Sequence, residues 1–387
     1  MKERTMKKLL LSLISVLLVE GCSVAQKSTT IPQIWDMKEL QASKSMAGKS
    51  NYSRSLVKNS SRYLADEPIT VTTKSRTFAP NNHYYCSIGP YWWPDEEHPG
   101  KYINRDGRIN PESRQYDRDR LIEMTKLCQE LSKAFYVSGE RDLYYAFVRQ
   151  LKACFIDEET YMYPNFEYSQ VIPGRRENRG RSTGMVDAYY FNTLIESIRL
   201  VNSVKKIDTD IMDVLQLWFG EFARWADEGV FGDQLRKANN NVGLAFDVTI
   251  ANMYLFSGNE TRAKEIVDRF AEQRINVQIL DDGSQPAELK RTNSFGYSLF
   301  NLEHIVDMCY LARYWYPNYY QEHKEKIDKA FAFLGQYVEN PKNYPYQQVS
   351  GWDNCKKNYD KQLERIQNLN NPKPHKQEKT QYNEYRW

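Results

Sequence analysis

Histidine is scarce in this chain, five in 387 residues, and the six cysteines are scattered. No two cysteines stand at C-x-x-C spacing and none lies beside a histidine pair, so the ligand patterns of a zinc site are missing. Neither a metal nor a cofactor is expected. No fixed repeat period runs through the sequence, which argues against a regular solenoid. Period-two alternation of apolar and polar residues, the signature of half-buried strands, is almost absent. The excess of positive charge is only +3, too small to argue for nucleic acid or an anionic membrane surface as partner. Aromatic residues, in contrast, are plentiful, with 28 tyrosines and 8 tryptophans. Flat rings often stack on sugars, although ordinary packing claims most of them.

The start of the chain is basic from Met1 to Lys8 and apolar from Leu9 to Val19, a stretch of signal-peptide length that is too short to span a bilayer. Val19-Glu20-Gly21-Cys22 then resembles a lipoprotein processing box in which Cys22 becomes the lipid-bearing N-terminus; cleavage after Ala25, giving a soluble secreted protein, is the competing reading. Both expect export, with the periplasm favoured because Ser23 to Gln26 carry no charge. The membrane enters only through that anchor. The remaining cysteines, Cys86, Cys128, Cys154, Cys309 and Cys355, cannot be paired from spacing, and their odd number leaves at least one free.

Four segments are expected: residues 1–22 as signal and lipobox, 23–75 as a helical segment docked through Ile34-Trp35 and Leu56-Val57, 76–356 as the main body, and 357–387 as a polar, partly disordered tail. Ala79 to Pro111 is rich in Pro, Gly, Asn and Asp and holds Tyr91-Trp92-Trp93-Pro94; so long a loop is usually functional. From Arg120 the apolar residues recur at three and four, as in Leu121-Ile122-Met124-Leu127-Cys128-Leu131, and Gly139 stops that helix. Further helices are expected over 143–155, 187–204, 211–227, 242–257, 261–278, 297–315 and 327–338. Some eight amphipathic helices joined by short turns pair into antiparallel hairpins, predicting an all-α fold of the α/α barrel type around a cleft. Between residues 174 and 181 four arginines, Arg175, Arg176, Arg179 and Arg181, crowd a basic loop suited to a polyanion.

Several blocks between Asn81 and Leu302 occur in a telling order: His83-Tyr84-Tyr85-Cys86-Ser87, Gly89-Pro90-Tyr91-Trp92-Trp93-Pro94-Asp95, Arg105-Asp106-Gly107, Pro164-Asn165 with Tyr168 and Gln170, Gly180-Arg181 with Asp187, Asn240-Asn241, Asp282-Gly283-Ser284-Gln285-Pro286, Arg291-Thr292 and Tyr297-Ser298. Together they resemble the alginate lyase superfamily. The resemblance implies an incomplete α/α toroid and metal-independent β-elimination on a uronic-acid polysaccharide, alginate and its mannuronate blocks being the commonest substrate. That chemistry needs the uronate carboxylate neutralised, a base for the C5 proton and an acid for the departing O4. The resemblance assigns Asn241 and Arg291 to the carboxylate and Tyr297 to proton transfer. Where relatives carry histidine after the Asn pair, this chain has Val242, which can neither bind a carboxylate nor move a proton.

A mechanism built on tyrosine alone meets that departure. In β-D-mannuronate the C5 proton and O4 lie on one face, so Tyr297 serves as both base and acid if Arg291 lowers its pKa. Asn240, Gln285, Arg181, Tyr168, Gln170, His83, Tyr91, Trp92 and Trp93 are the candidate substrate contacts, with Gln285 joining Asn241 at the carboxylate. Plainer readings stand beside these. Asn240-Asn241 suits a helix cap, Arg291 a partner for Glu288, Tyr297 a core ring, and Asp95 and Asp106 turns. His83 and His304 are the available substitutes for the missing imidazole. Two alternatives to the lyase remain: a catalytically impaired glycan-binding lipoprotein of the same fold, and a hydrolase using paired carboxylates such as Asp187 and Asp247.

Overall fold

The computed structural model describes residues 30–46 and 50–370. The signal segment, Cys22 and the end of the tail lie outside the described residues. Twelve main helices carry the fold: α1 (Lys38–Ser45), α2 (Asn51–Ser60), α3 (Arg118–Ser138), α4 (Arg141–Phe155), α5 (Tyr190–Val204), α6 (Thr209–Glu228), α7 (Val230–Arg236), α8 (Asn241–Phe256), α9 (Glu260–Phe270), α10 (Ser294–Ala312), α11 (Tyr319–Val338) and α12 (Trp352–Asn370). The inner layer runs α3, α5, α8, α10, each packed on the next, and α4, α6, α9 and α11 back them from outside. This is the α/α toroid.

The layering follows from composition. Every residue of α8 is buried, its sequence Val242-Gly243-Leu244-Ala245-Phe246 continuing apolar all round, whereas α9 shows one buried stripe of Ala263, Ile266, Val267 and Phe270. A helix apolar on all sides belongs between layers and an amphipathic one outside. The stops are local too: Gly139 takes a left-handed φ of 72° and its N–H caps Phe135, closing α3. The helix expected to run unbroken over 261–278 passes instead through a π turn at Ala271–Ile275. That turn carries Arg274, whose Nε donates to the buried Asp247 at 2.7 Å.

Four short strands were not anticipated. β1 (Cys86–Ile88) pairs in parallel with β4 (Tyr168–Val171), and β2 (Trp92–Pro94) pairs antiparallel with β3 (Tyr102–Asn104) in the register Trp93↔Ile103. Three or four residues are too few to show alternation, so the Ala79–Pro111 segment reads as loop. Buried Lys74 fastens its base, donating to the carbonyls of Val71, Asn82 and Tyr84 and pairing with Asp117 at 3.0 Å.

The tail expected from residue 357 begins inside α12, which packs on α10 and α11 and buries Tyr359, Ile366 and Leu369. Its many Lys, Asn and Gln residues mask an apolar stripe. Arg365 at its centre donates to Asp307 (2.7 Å) and to the Ile34 carbonyl (2.9 Å), while the Ile34 N–H is held by Glu196 at 2.8 Å. Both ends of the described chain are thus pinned to the inner layer by buried ionic groups. The five cysteines of the described residues are all buried and free.

Candidate active site

The β2–β3 hairpin and the start of α10 meet at a compact group of four side chains. Tyr297 sits in the first turn of α10, its hydroxyl 2.7 Å from that of Tyr91. The Arg291 guanidinium lies over the Tyr297 ring, 3.7 Å from its centroid. Asp106, on the loop after β3, grips that guanidinium from Nε (3.1 Å) and Nη2 (2.6 Å) and also accepts from the Thr292 N–H (3.2 Å) and hydroxyl (3.0 Å). Such a planar two-point clamp fixes the guanidinium's orientation as well as its position. Gly107 makes the approach possible. Its φ is +74°, and a Cβ there would lie 2.6 Å from the Thr292 hydroxyl, so only glycine fits.

The electrostatics differ from expectation in one respect. Burial pushes the Tyr297 phenol well up and the Tyr91 phenol adds to it; Arg291 pulls the other way without prevailing. The expected net depression of the Tyr297 pKa is therefore reversed, because the ring that meets the guanidinium is also removed from water. Asp106 is pushed up by burial, but the bonds from Arg291 and Thr292 outweigh this and leave it below the ordinary carboxylate value. The plainer reading of Asp106 as a turn residue missed its role, and so did the pairing of Arg291 with Glu288.

Glu288 instead accepts both the backbone N–H and the side-chain amide of Asn241, each at 2.7 Å. Asn241 is only 2% exposed, so it is a buried anchor with an anion already against its amide, not an open carboxylate donor. Asn240 caps α8, its side chain accepting the Val242 N–H at 3.1 Å. Val242 itself is buried in the main core. Gln285 is also turned inward: its Nε2 donates to the Ser298 carbonyl (3.1 Å) and its Oε1 accepts from Asn301 (2.7 Å). The expectation that it binds a uronate carboxylate is corrected, since helix packing consumes both ends of its amide.

A second polar group surrounds Asp187, which is 1% exposed. It accepts from Tyr85 (2.9 Å), Ser87 (2.9 Å) and Gln170 (3.1 Å). Gln170 in turn holds Arg181 through its carbonyl (3.2 Å) and Oε1 (2.9 Å). Tyr168 is buried in β4 against Tyr84. Arg175 lies 4.5 Å over Trp92 and Arg105 lies 5.3 Å over Trp93, so each indole presents a cation on one face in place of a bare stacking surface.

Neither of the two candidate histidines offers a free imidazole. The Nδ1 of His83 is 2.7 Å from the Tyr161 carbonyl, and its ring packs on Tyr161 and Tyr163. His304 is fully buried between Tyr189 and Phe300, and burial pulls its pKa down to about 3. The hydrolase reading fails on burial: Asp247 is 0% exposed and paired with Arg274, so neither it nor Asp187 faces a cleft. Among the described residues no group of His, Cys, Asp and Glu is arranged to hold a metal ion.

The family profile for alginate lyase matches residues 69–344. A crystal structure of an alginate lyase from Bacteroides ovatus superposes with a TM-score of 0.82 at 33% identity, covering 88% of this chain and 92% of the other. The chain belongs to the alginate lyase family. Alginate lyase A1-III from Sphingomonas species A1 is also similar, at 12% identity and a TM-score of 0.45, covering 83% of this chain and 82% of that one. No curated protein matches. Membership makes a polysaccharide the substrate class and lyase chemistry the general activity. The Arg291–Asp106 clamp and the Tyr297–Tyr91 pair are half-buried, whereas Asn241, Gln285 and His304 are buried.

Proposed function

We propose that the protein cleaves a uronic-acid polysaccharide, with mannuronate-type alginate favoured, by β-elimination without a metal. Arg291 neutralises the carboxylate beside C5. Tyr297 removes the C5 proton and returns one to O4, which in β-D-mannuronate lies on the same face. Tyr91 donates its hydroxyl hydrogen to the Tyr297 oxygen while that oxygen carries charge. The observation that carries this reading is the stack of a clamped guanidinium 3.7 Å over a phenol that is itself 2.7 Å from a second phenol. Oriented donors that need no rearrangement during reaction are the usual source of such catalysis.

The test is ultraviolet absorbance of the unsaturated uronate product on polymannuronate, polyguluronate and other uronate polymers, with Tyr297→Phe as the comparison. Loss of a general acid–base group is worth about 10²–10⁴ in rate. Product formation at an unchanged rate in the variant rejects Tyr297. The glycan-binding reading draws on Val242 and on the raised Tyr297 pKa; it predicts polymer binding with no double bond formed in the wild type either. Export with lipidation at Cys22 belongs to the same proposal, and palmitate labelling lost in Cys22→Ala tests it.

A further inference from the structure

We infer that Arg175 and Arg181, which meet at the Trp92 indole, form a second carboxylate subsite that engages another uronate unit of the polymer bound at Tyr297. This rests on the uronate reading above. The Arg175 guanidinium lies 4.5 Å over the Trp92 ring. The Arg181 Nη2 is 3.3 Å from the point where a Cβ on Gly89 would stand, and Trp92 Cδ1 is 2.6 Å from the same point. Neither guanidinium has a carboxylate within ion-pair distance among the described residues, although Arg179, between them in sequence, is paired with Glu167. Arg291 is answered by Asp106 and Arg365 by Asp307. Arg175 spends one N–H on the Tyr102 carbonyl (3.4 Å) and Arg181 two on Gln170, which leaves further N–H groups on each guanidinium for an incoming carboxylate.

Their positions are built. Arg181 is held at two points by Gln170, whose own φ is +49° and whose N–H and amide are tied to Ser87 (2.8 Å) and Asp187 (3.1 Å). Arg175 rides on a turn with left-handed φ at Gly174 (77°), Arg176 (50°), Glu177 (54°) and Asn178 (57°), closed by the Gly174 N–H donating to Asn178 Oδ1 at 2.8 Å. Three consecutive non-glycine residues of this kind, Arg176 to Asn178, are rare, and such strain concentrates where a ligand is held. Alternation along β2 puts Trp92 and Trp93 on opposite faces of the hairpin, and the cation over Trp93 is Arg105, not Arg175 or Arg181. A guanidinium fork matches a carboxylate, and the indole steadies the cation. A polyuronate repeats its carboxylate on every sugar, so a remote subsite of this chemistry selects charged polymer over neutral polymer.

Arg175 is exposed, which makes Arg175→Gln the clean variant; Arg224→Gln, on the outer face of α6, controls for the lost charge. On polymannuronate, Arg175→Gln is expected to raise KM about tenfold or more, the scale of one charged hydrogen bond, with less effect on kcat. The penalty is larger on polymer than on the shortest oligomer cleaved, and it shrinks as salt is raised. Equal penalties on polymer and oligomer, or the same small change as in Arg224→Gln, overturn the subsite. If the wild type eliminates no uronate polymer, the proposed reaction fails on its own. The subsite is then read by affinity electrophoresis in polymannuronate: retardation lost in Arg175→Gln but kept in Arg224→Gln supports it, and equal retardation of all three proteins overturns it.

Discussion

Replacing Asp106 with asparagine removes one charge and almost no volume, and the structure specifies what is lost. The carboxylate accepts four hydrogen bonds, two from Arg291 and two from Thr292. Oδ2 accepts three of the four and Oδ1 the one from Arg291 Nη2, so an amide with its oxygen at Oδ2 keeps three bonds without the carboxylate charge and turns its NH2 on the Nη2 donor, losing the fourth. Bonds to a charged group are worth about 1.5–3 kcal/mol each when buried. The two side chains are 30% and 25% exposed, and discounting for solvent screening leaves about 2–3 kcal/mol in all. A chain of this size then melts about 2–4 °C lower. The effect on catalysis is larger in proportion, because Arg291 loses its two-point anchor over Tyr297. A misplacement of about 1 Å costs roughly 10²-fold in rate, so kcat/KM on polymannuronate is expected to fall by about that factor in protein still folded at the assay temperature. The pH dependence has a definite sign. Asp106 lies below its ordinary pKa when folded, so its stabilisation is complete above the unfolded value near 4 and is lost as pH falls through the lower folded value. The gap in stability between wild type and Asp106→Asn therefore closes in acid. A variant with kcat/KM within twofold of wild type, or a gap that widens below about pH 4, refutes the reasoning.

Because burial and Tyr91 raise the Tyr297 phenol, its base form is a minority at neutral pH and grows as pH rises. kcat/KM is expected to climb toward the ordinary tyrosine value of about 10 and beyond; a profile flat between about pH 7 and 9 argues against a phenolate base. Glu288→Ala leaves the buried amide and N–H of Asn241 without their acceptor, at a cost of about 2–4 kcal/mol, and Glu288→Gln costs roughly half of that. Thermal melts of the two variants check the order. His304→Phe is expected to keep the shape of the pH–rate profile, since burial holds the imidazole neutral with a pKa of about 3. Disappearance of a limb near neutrality in that variant makes His304 the missing imidazole after all.

Much of the ring was legible because its information is local. The three-and-four spacing in Leu121–Leu131, the stop at Gly139 and the cap at Asn240 are each decided within a few residues, and the structure contains them. The π turn at Ala271–Ile275 was not legible, since its sequence continues the helical pattern. Nor was α12, whose buried Tyr359, Ile366 and Leu369 are diluted by polar residues that turn out to face solvent.

In the candidate site the division is sharper. The order of motif blocks brought Tyr91, Arg291 and Tyr297 forward together, and the structure joins them. It also brought forward Asn241 and Gln285, whose amides are spent on Glu288 and on the packing of α10. Asp106 looked like an ordinary turn residue because its partner is 185 positions away. By itself the sequence determined the helices, their caps and the family of blocks, all of which are written in neighbouring residues. Only the tertiary structure decided which polar side chains remain open and which are already answered. A hydrogen bond is satisfied by whatever lies within about 3 Å, and distance along the chain does not carry that information.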